Sequence, residues 1–170
     1  MIYNFVCLLN YERLLQMILD SYDKAILRAI QEDGKITNQD LADLVGLSPS
    51  ACLRRVKFLE DNGIISAYKG ILDSKKLGLG LMVIVSISMD KHTTERFDFF
   101  EKQIAIIPEI TECLLITGQS ADYILKILVT DLEHYHQILL GKITKIPGVS
   151  GVHSSFVLNR IIENRPIPIY

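Results

Sequence analysis

The segment from Thr37 to Tyr68 limits the possible folds of this chain more than any other. Two stretches with helical periodicity are separated by Gly46, which permits a sharp turn. Ser48 is a favoured N-cap, and Pro49 is a favoured first residue, for the second of these helices. Two helices joined in this way form a helix-turn-helix, in which the second helix enters the DNA major groove. The segment therefore predicts a nucleic-acid-binding domain.

Another helix is expected before this pair. Asp20 or Ser21 can cap a helix that runs to about Asp33. Thr37 and Asp40 have the T-x-x-D spacing of a capping box, which would open the first helix of the pair. The N-terminal domain is therefore predicted to contain three short helices.

The third helix divides into a buried stripe and an exposed basic face. Cys52, Val56 and Leu59 are spaced i, i+4 and i+7, so they are expected to pack inward together. Small residues at the start of the helix let its backbone approach DNA, and arginines can bind guanine edges or phosphates. We predict DNA contacts from Ser48, Pro49, Ser50, Ala51, Arg54, Arg55, Lys57 and Lys69.

The chain from Ile64 to Leu72 is expected to be extended, which is compatible with a two-stranded wing. Lys69 would contact backbone phosphate from this segment. Basic side chains on an exposed helix face are usually only solvated, and winged helices also serve as protein-interaction modules. The turn spacing and the Ser48-Pro49 helix start favour DNA binding over these alternatives.

Composition and charge exclude several classes of protein. Hydrophobic residues make up 49% of the chain, which is enough for packed cores, and the net charge of −2 argues against a protein that coats nucleic acid. The cysteines at 7, 52 and 113 have neither disulfide-framework nor zinc spacing, so we expect a reducing, cytoplasmic compartment. No run of sequence reaches the roughly 18–20 apolar residues of a membrane helix.

Residues 1–19 form an N-terminal extension. They are apolar in part, but the early positive charge and the cleavage site of a signal peptide are not clear. We expect either that Met17 is the natural start or that the extension is a short helix that packs on a partner chain.

The C-terminal domain, residues 81–170, follows a hinge at residues 77–80. Its periodic segments come in the order strand, helix, strand and then strand, helix, strand. The expected strands are 81–90, 110–116, 123–129 and 152–161, and the expected helices are 94–107 and 131–145. The chain is therefore predicted to be α+β, with a winged helix-turn-helix at 20–76 and a ferredoxin-like βαββαβ domain at 81–170. In that domain four antiparallel strands carry both helices on one face.

The other face of this sheet is expected to be bare. Along the first strand Val83, Val85 and Ile87 alternate with Ile84 and Ser86, so one side is apolar and the other is mixed. An uncovered apolar sheet face implies a partner, most simply a second copy of the chain. We predict a homodimer through this domain.

Several motifs along the chain are specific in combination. They are L-D-x-x-D-x-x-I-L at 19–27, D-G-K-I-T-N at 33–38, L-A-x-x-V-G-L-S-P-S at 41–50, L-R-R-V-K-x-L-E at 53–60, G-I-I at 63–65, T-G at 117–118, D-Y-I-L-K at 122–126, I-P-G-V at 146–149 and R-P-I-P-I at 165–169. With these motifs the chain resembles the Lrp/AsnC (feast/famine) transcription regulators over about nine-tenths of its length.

The resemblance implies a sequence-specific transcription regulator that binds a pseudo-palindromic operator in double-stranded DNA. Members of the family dimerise and often assemble further into octamers. They respond to an amino acid or a similar small effector, held between ligand-binding domains. We expect no cofactor beyond such an effector.

The resemblance also places the effector loop between Thr117 and Tyr123. Backbone groups near Gly118 would bind the effector carboxylate and Asp122 would pair with its ammonium group, which suits a zwitterion. The usual family spacing is G-x-x-D, and this chain has one residue more. The expected effector-binding residues are Thr117, Gly118, Asp122, Tyr123 and Ser155, with Ser154 as a weaker candidate.

Local spacing does not indicate a catalytic or metal-binding set. His134 and His136 are two apart on a predicted helix and so point to different sides. We therefore expect neither a metal site nor an enzyme. Two competing functions stay open: a low-specificity DNA-packaging protein, whose affinity would fall steeply with salt, and a metabolite-binding enzyme or subunit that uses the ferredoxin-like domain.

Overall fold

A computed structural model describes residues 19–117 and 121–170 of the chain. Residues 1–18, which include Met17 and Cys7, lie outside the described residues, and so does Gly118 of the expected effector loop. The chain divides into two compact units. Among the described residues, one unit contains 19–71 together with 164–170, and the other contains 72–163.

The first unit is built on three helices, α1 (Ser21–Glu32), α2 (Asn38–Val45) and α3 (Pro49–Asp61). Each helix begins with a side-chain cap, because Asp20, Thr37 and Ser48 each accept a hydrogen bond from the backbone N–H three residues further on. Gly46 follows α2 with a φ of 72°, a left-handed conformation that favours glycine. The three predicted helices are confirmed, and so are their caps.

Apolar side chains from all three helices form one core in this unit. Ile26, Leu41, Cys52 and Leu59 are almost fully buried, and Val56 packs against them at the margin. The predicted inward stripe of α3 is therefore present. Burial also raises the pKa of the Cys52 thiol, which makes this cysteine a packing residue rather than a nucleophile.

The segment after α3 differs from a two-stranded wing. The backbone N–H groups of Ile64 and Ile65 both donate to the carbonyl oxygen of Leu59, so this stretch closes the end of α3. Both isoleucines pack against the helical core. In the described part of the chain, residues 66–73 have no strand partner, so the segment lacks strand pairing.

The second unit is an antiparallel sheet with two helices. Its elements are β1 (Leu81–Met89), α4 (Thr94–Ala105), β2 (Ile110–Leu115), β3 (Tyr123–Val129), α5 (Leu132–Gly141), a 3-10 turn (Ile143–Lys145) and β4 (Val149–Phe156). The strand order is β2-β3-β1-β4, and every neighbouring pair is antiparallel. This order confirms the predicted ferredoxin-like fold.

Alternation along the central strands decides which side of the sheet the helices cover. Val83, Val85 and Ile87 of β1 are fully buried, whereas the residues between them are half-buried. The buried side packs against Phe100 of α4 and Ile138 of α5 in one hydrophobic cluster. Both helices therefore lie on one face, and the opposite face is left open in this chain.

Two predicted boundaries in this unit were wrong. β4 runs from Val149 to Phe156 rather than 152–161, because Gly148, with a φ of 102°, turns the chain directly into the strand. α5 ends at Gly141 and a separate 3-10 turn follows, since a glycine weakens a helix interior. The Asp131 cap that was predicted for α5 is present.

The division into units also departs from the predicted domain boundaries. Residues 72–80, part of which was predicted to be a hinge, group with the second unit. Residues 164–170, predicted to belong to the C-terminal domain, group with the first unit because their backbone is bound by side chains of α1. No described helix is long and apolar enough to cross a membrane.

Candidate DNA-binding and effector sites

The start of α3 is fixed by side-chain hydrogen bonds. The hydroxyl of Ser48 accepts from the backbone N–H of Ala51 at 3.3 Å, and Pro49 takes the first helical position. The side-chain amide of Asn38, at the start of α2, donates to the carbonyl oxygen of Pro49 at 2.9 Å. These bonds hold the turn between the two helices and set the direction in which α3 leaves it.

Part of the predicted DNA-contacting set lies together on the exposed side of α3. Ser50, Arg54 and Lys57 are exposed and follow one another at i, i+4 and i+7, the spacing of a single helix face. Ser48 and Pro49 are exposed at the start of the helix, and Ala51 is half-buried. Lys69 is exposed on the extended segment that follows. This basic face has the size and charge to enter a DNA groove.

Arg55 is half-buried and ion-paired within the unit, and its role as a DNA contact stays a prediction. Its Nη1 atom lies 2.8 Å from an Oδ2 of Asp20 and 2.7 Å from an Oδ1 of Asp23. The guanidinium also lies over the ring of Tyr22, 5.4 Å from the ring centroid. Both ion pairs use Nη1, and through them Arg55 joins α3 to the beginning of α1.

The carboxylates that bind Arg55 are also the capping box of α1. The N–H of Asp23 donates to Asp20 at 2.9 Å, and the N–H of Asp20 donates to Asp23 at 3.2 Å. The hydrogen bond from the Asp23 backbone and the nearby Arg55 guanidinium hold the pKa of the Asp20 carboxyl below its usual value, against the opposing effect of burial. Hydrogen bonds to Asp23 and then to Asp20 correspondingly raise the pKa of Arg55.

Asp122 is the best-held member of the predicted effector set. Its Oδ2 accepts a hydrogen bond from the backbone N–H of Met89 at 2.7 Å. Its Oδ1 lies 2.7 Å from Nε2 of His92, and only 17% of the Asp122 side chain is exposed against 69% for His92. A half-enclosed carboxylate with a replaceable partner on one oxygen is suited to binding a cationic group.

The other predicted effector residues separate into two groups. Thr117 is exposed and follows Ile116, whose N–H donates to the carbonyl oxygen of Asp122 at 2.8 Å, so it lies beside Asp122. Tyr123 points into the core, where its hydroxyl donates to Glu101 at 2.9 Å. Burial raises the pKa of Tyr123.

Ser155 and Ser154 lie on β4, away from this end of the sheet. Ser155 is paired with Ile84 on the open face, and Ser154 is hydrogen-bonded to the hydroxyl of Tyr135. Neither residue shares a contact with Asp122. The alternation of a strand could have predicted that Ser155 and Ser154 point to opposite faces.

His92 is the residue that sequence reasoning missed at this site. It is an isolated histidine in the sequence, and thirty positions separate it from Asp122 in the chain. The fold brings the two together because the backbone of Met89, at the end of β1, holds Asp122 at the start of β3. The edge of the Phe97 ring faces the imidazole at 6.0 Å between centroids. Sequence spacing carries no signal for this pair.

Comparison with known proteins agrees with both units. A family model for a winged helix-turn-helix DNA-binding domain matches residues 19–66, and one for the Lrp/AsnC ligand-binding domain matches residues 82–167. The transcriptional regulator AzlB of Bacillus subtilis is 39% identical over 90% of this chain and 97% of its own length. The Bkd operon transcriptional regulator of Pseudomonas aeruginosa is 39% identical over 89% of this chain and 98% of its own.

Solved structures of transcription regulators are similar to this chain. A transcriptional regulator from Neisseria meningitidis in complex with L-methionine has a TM-score of 0.85 and 36% identity, covering 89% of this chain and 97% of its own. An AsnC-family regulator from Agrobacterium tumefaciens has a TM-score of 0.83 and 33% identity, and the match covers 88% of this chain and 97% of its own.

A helix-turn-helix unit followed by a ferredoxin-like ligand-binding unit defines a DNA-binding transcription regulator that responds to a small molecule. The relatives cover nearly the whole of both units, and they are named as transcription regulators. The chain belongs to the Lrp/AsnC family.

We expect Arg54→Ala to weaken operator binding without changing stability. Arg54 is exposed on the basic face of α3, and one lost arginine contact to DNA typically costs about 1–3 kcal/mol, or roughly 5- to 150-fold in affinity. Fluorescence anisotropy with a labelled operator would measure the change, and thermal unfolding should match the wild type. Lys102→Ala, which removes the same charge at an exposed position of α4, is the control. An unchanged affinity for Arg54→Ala would place the reading surface elsewhere.

Arg55→Ala is expected to lower the unfolding temperature of the DNA-binding unit, because it leaves Asp20 and Asp23 without their shared cation. The loss should depend on pH. Since the folded-state pKa of Asp20 is lowered, its ion pair stabilises the fold above the unfolded-state pKa, and this is lost as pH falls through the folded-state value. Thermal unfolding at a series of pH values from 7 downward would check this. A difference in unfolding temperature between wild type and variant that grows toward acid pH would contradict this prediction.

Proposed function

We propose that this regulator changes its binding to a pseudo-palindromic operator when a free amino acid binds beside Asp122. The amino-acid class is supported by the relative whose structure contains L-methionine and by the match to the Lrp/AsnC ligand-binding domain. The observation that carries the proposal is the carboxylate of Asp122, which is anchored to backbone on one oxygen and open to exchange on the other.

The anchored oxygen keeps the carboxylate in place. The Met89 N–H bond at 2.7 Å joins Asp122 to the end of a central strand, so the carboxylate does not have to be ordered when a ligand arrives. An α-ammonium group carries three donors and a full charge, and it makes short, strong hydrogen bonds to such an oxygen. Asp122 is therefore assigned to the effector ammonium group.

The other oxygen is occupied by His92, and the ammonium group must displace that imidazole. His92 is mostly exposed, so its release into solvent costs little. In this proposal His92 holds the empty site closed and competes with the effector for one carboxylate oxygen. Backbone groups around Thr117 would receive the effector carboxylate.

Asp122→Asn tests the role of the charge. The amide oxygen can still accept from the Met89 N–H, so the loop is kept while the negative charge is lost. Isothermal titration with each of the twenty amino acids should identify a ligand for the wild type and show it at least about tenfold weaker in the variant. Asp98→Asn, an exposed carboxylate on α4, is the matched control.

The same titration on His92→Ala separates the two parts of the proposal. If the imidazole competes with the ligand, removing it should leave affinity equal or increased. A loss of affinity in His92→Ala would make His92 a ligand contact instead, and unchanged affinity in Asp122→Asn would remove Asp122 from the site.

A second experiment measures operator binding in excess competitor DNA, at two salt concentrations, with and without the amino acids. A change on adding the amino acids would show that the effector controls DNA binding. Binding that falls steeply with salt and ignores sequence would favour a low-specificity DNA-packaging protein instead.

We also propose a homodimer through the open face of the sheet. Ile84, Ile124 and Leu114 share this face, with Leu114 paired with Ile124, and an ion pair between Lys126 and Glu112 at 2.6 Å lies on the same face with Lys126 opposite Ile84. Aliphatic side chains with a paired charge among them fit a protein interface, whose centre is mostly apolar and carries a limited number of polar contacts. Assembly beyond the dimer, to an octamer, is an expectation from the family.

Ile124→Lys is expected to raise the dimer dissociation constant at least about tenfold, because it places a charge at the apolar centre of the interface. Analytical ultracentrifugation over a range of concentrations would measure it and would count the subunits. Ile106→Lys, an equally drastic change at an exposed position after α4, serves as the control. A wild-type monomer at micromolar concentration would reject the dimer.

We propose that the chain acts by binding and not by turnover. In the residues that the structure describes, no three His, Cys, Asp or Glu side chains are close enough together to hold a metal ion. A screen for substrate turnover would test this. A cytoplasmic location stays a prediction.

A further inference from the structure

The C-terminal tail, residues 164–170, lies against α1 in the DNA-binding unit, and its backbone is bound by side chains. Gln31 makes two hydrogen bonds to one tail residue: its amide oxygen accepts from the Ile167 N–H at 2.8 Å, and its amide nitrogen donates to the Ile167 carbonyl at 3.2 Å. The guanidinium of Arg28 donates to the Ile169 carbonyl at 2.7 Å. All three hydrogen bonds are therefore made to backbone atoms of the tail.

The spacing of these contacts suits an extended peptide. Arg28 and Gln31 are one helical turn apart on the same face of α1. Their partners, Ile169 and Ile167, are two apart, which returns bonding groups to the same side of an extended chain. Pro166 and Pro168 alternate with these two isoleucines in the tail, and neither proline has an N–H to donate.

The prolines also lower the entropic cost of binding. Their rings fix φ near the polyproline value, so a segment that reads R-P-I-P-I is partly extended before it binds. Ile169 adds an apolar contact by packing against the core of the first unit. A short peptide with few restrained bonds loses little freedom when it is ordered.

An open groove of about 1150 Å³ lies beside the tail, and tail residues 167–170 form one of its walls. Its apolar lining comes from α1, through Leu27 and Ile30, and from the extended segment after α3, through Ile64, Ile65 and Ile71. The groove is therefore bounded by α1, by the segment after α3 and by the tail itself.

We propose that the α1 side of this groove is a peptide-binding site of the DNA-binding unit and that its ligand is the chain's own tail. The tail holds the C-terminal half of α1, while Arg55 holds the N-terminal end of the same helix. Residues 164–170 are then a component of the DNA-binding unit, although 92 residues of the other unit separate them from it in sequence (residues 72–163).

A double-mutant cycle on the full chain tests the pairing. Gln31→Ala removes both hydrogen bonds, and Ile167→Pro removes the N–H while keeping the tail extended. Hydrogen exchange of the α1 amides, followed by mass spectrometry over residues 26–32, is the readout. Each substitution should speed exchange by about fivefold, the effect of losing roughly one net hydrogen bond. The double variant should be no faster than the faster single variant.

Two control substitutions show that the effect belongs to the pairing. Glu32→Ala lies next to Gln31 on α1, and Arg165→Ala lies in the tail without a hydrogen bond or ion pair to any described residue. Both should exchange like the wild type. Unchanged exchange in Gln31→Ala, or effects of the two substitutions that simply add, would overturn the proposal. A chain that ends after Glu163 should also show faster α1 exchange, and wild-type rates in it would overturn the proposal independently.

Discussion

The ion pair of Arg55 with Asp20 and Asp23 is the contact on which the DNA-binding unit depends. It joins the third helix to the start of the first, where the same two carboxylates already cap the helix. One guanidinium thereby fixes the angle between the helix that reads DNA and the helix that supports it. Arg54, the residue before Arg55 in the chain, is exposed on α3 and available to contact DNA.

The ligand-binding unit rests on a different constraint, which is the alternation of its central strands. The buried residues of β1 and β3 face the helices, so the half-buried ones must face outward together. The strand order then places the start of β3 beside the end of β1, and this brings Asp122 to the backbone of Met89. The position of the Asp122 carboxylate and the open sheet face are thus consequences of one topology.

Most of the fold could be predicted from the sequence because its signals are local. Caps such as Ser48 and Asp131, and the two-residue period of β1, depend on neighbours in the chain. The parts that could not be predicted depend on long-range pairing. Arg55 lies 32 residues from Asp23, and His92 lies thirty from Asp122. Helical periodicity predicts the same exposed surface for Arg54 and Arg55. Only the packed helices show that Arg55 is ion-paired within the unit while its neighbour Arg54 is exposed.

The tail changes what counts as a module in this chain. The helix-turn-helix segment is continuous in sequence, yet Arg28 and Gln31 take their partners from residues 167 and 169. A chimaera that joined residues 19–71 to a foreign sensor domain would carry the reading helix but would leave those two side chains facing water. Grafting the seven C-terminal residues along with the helices would supply the missing segment, so the transplantable unit is discontinuous, and its second piece comes after the sensor.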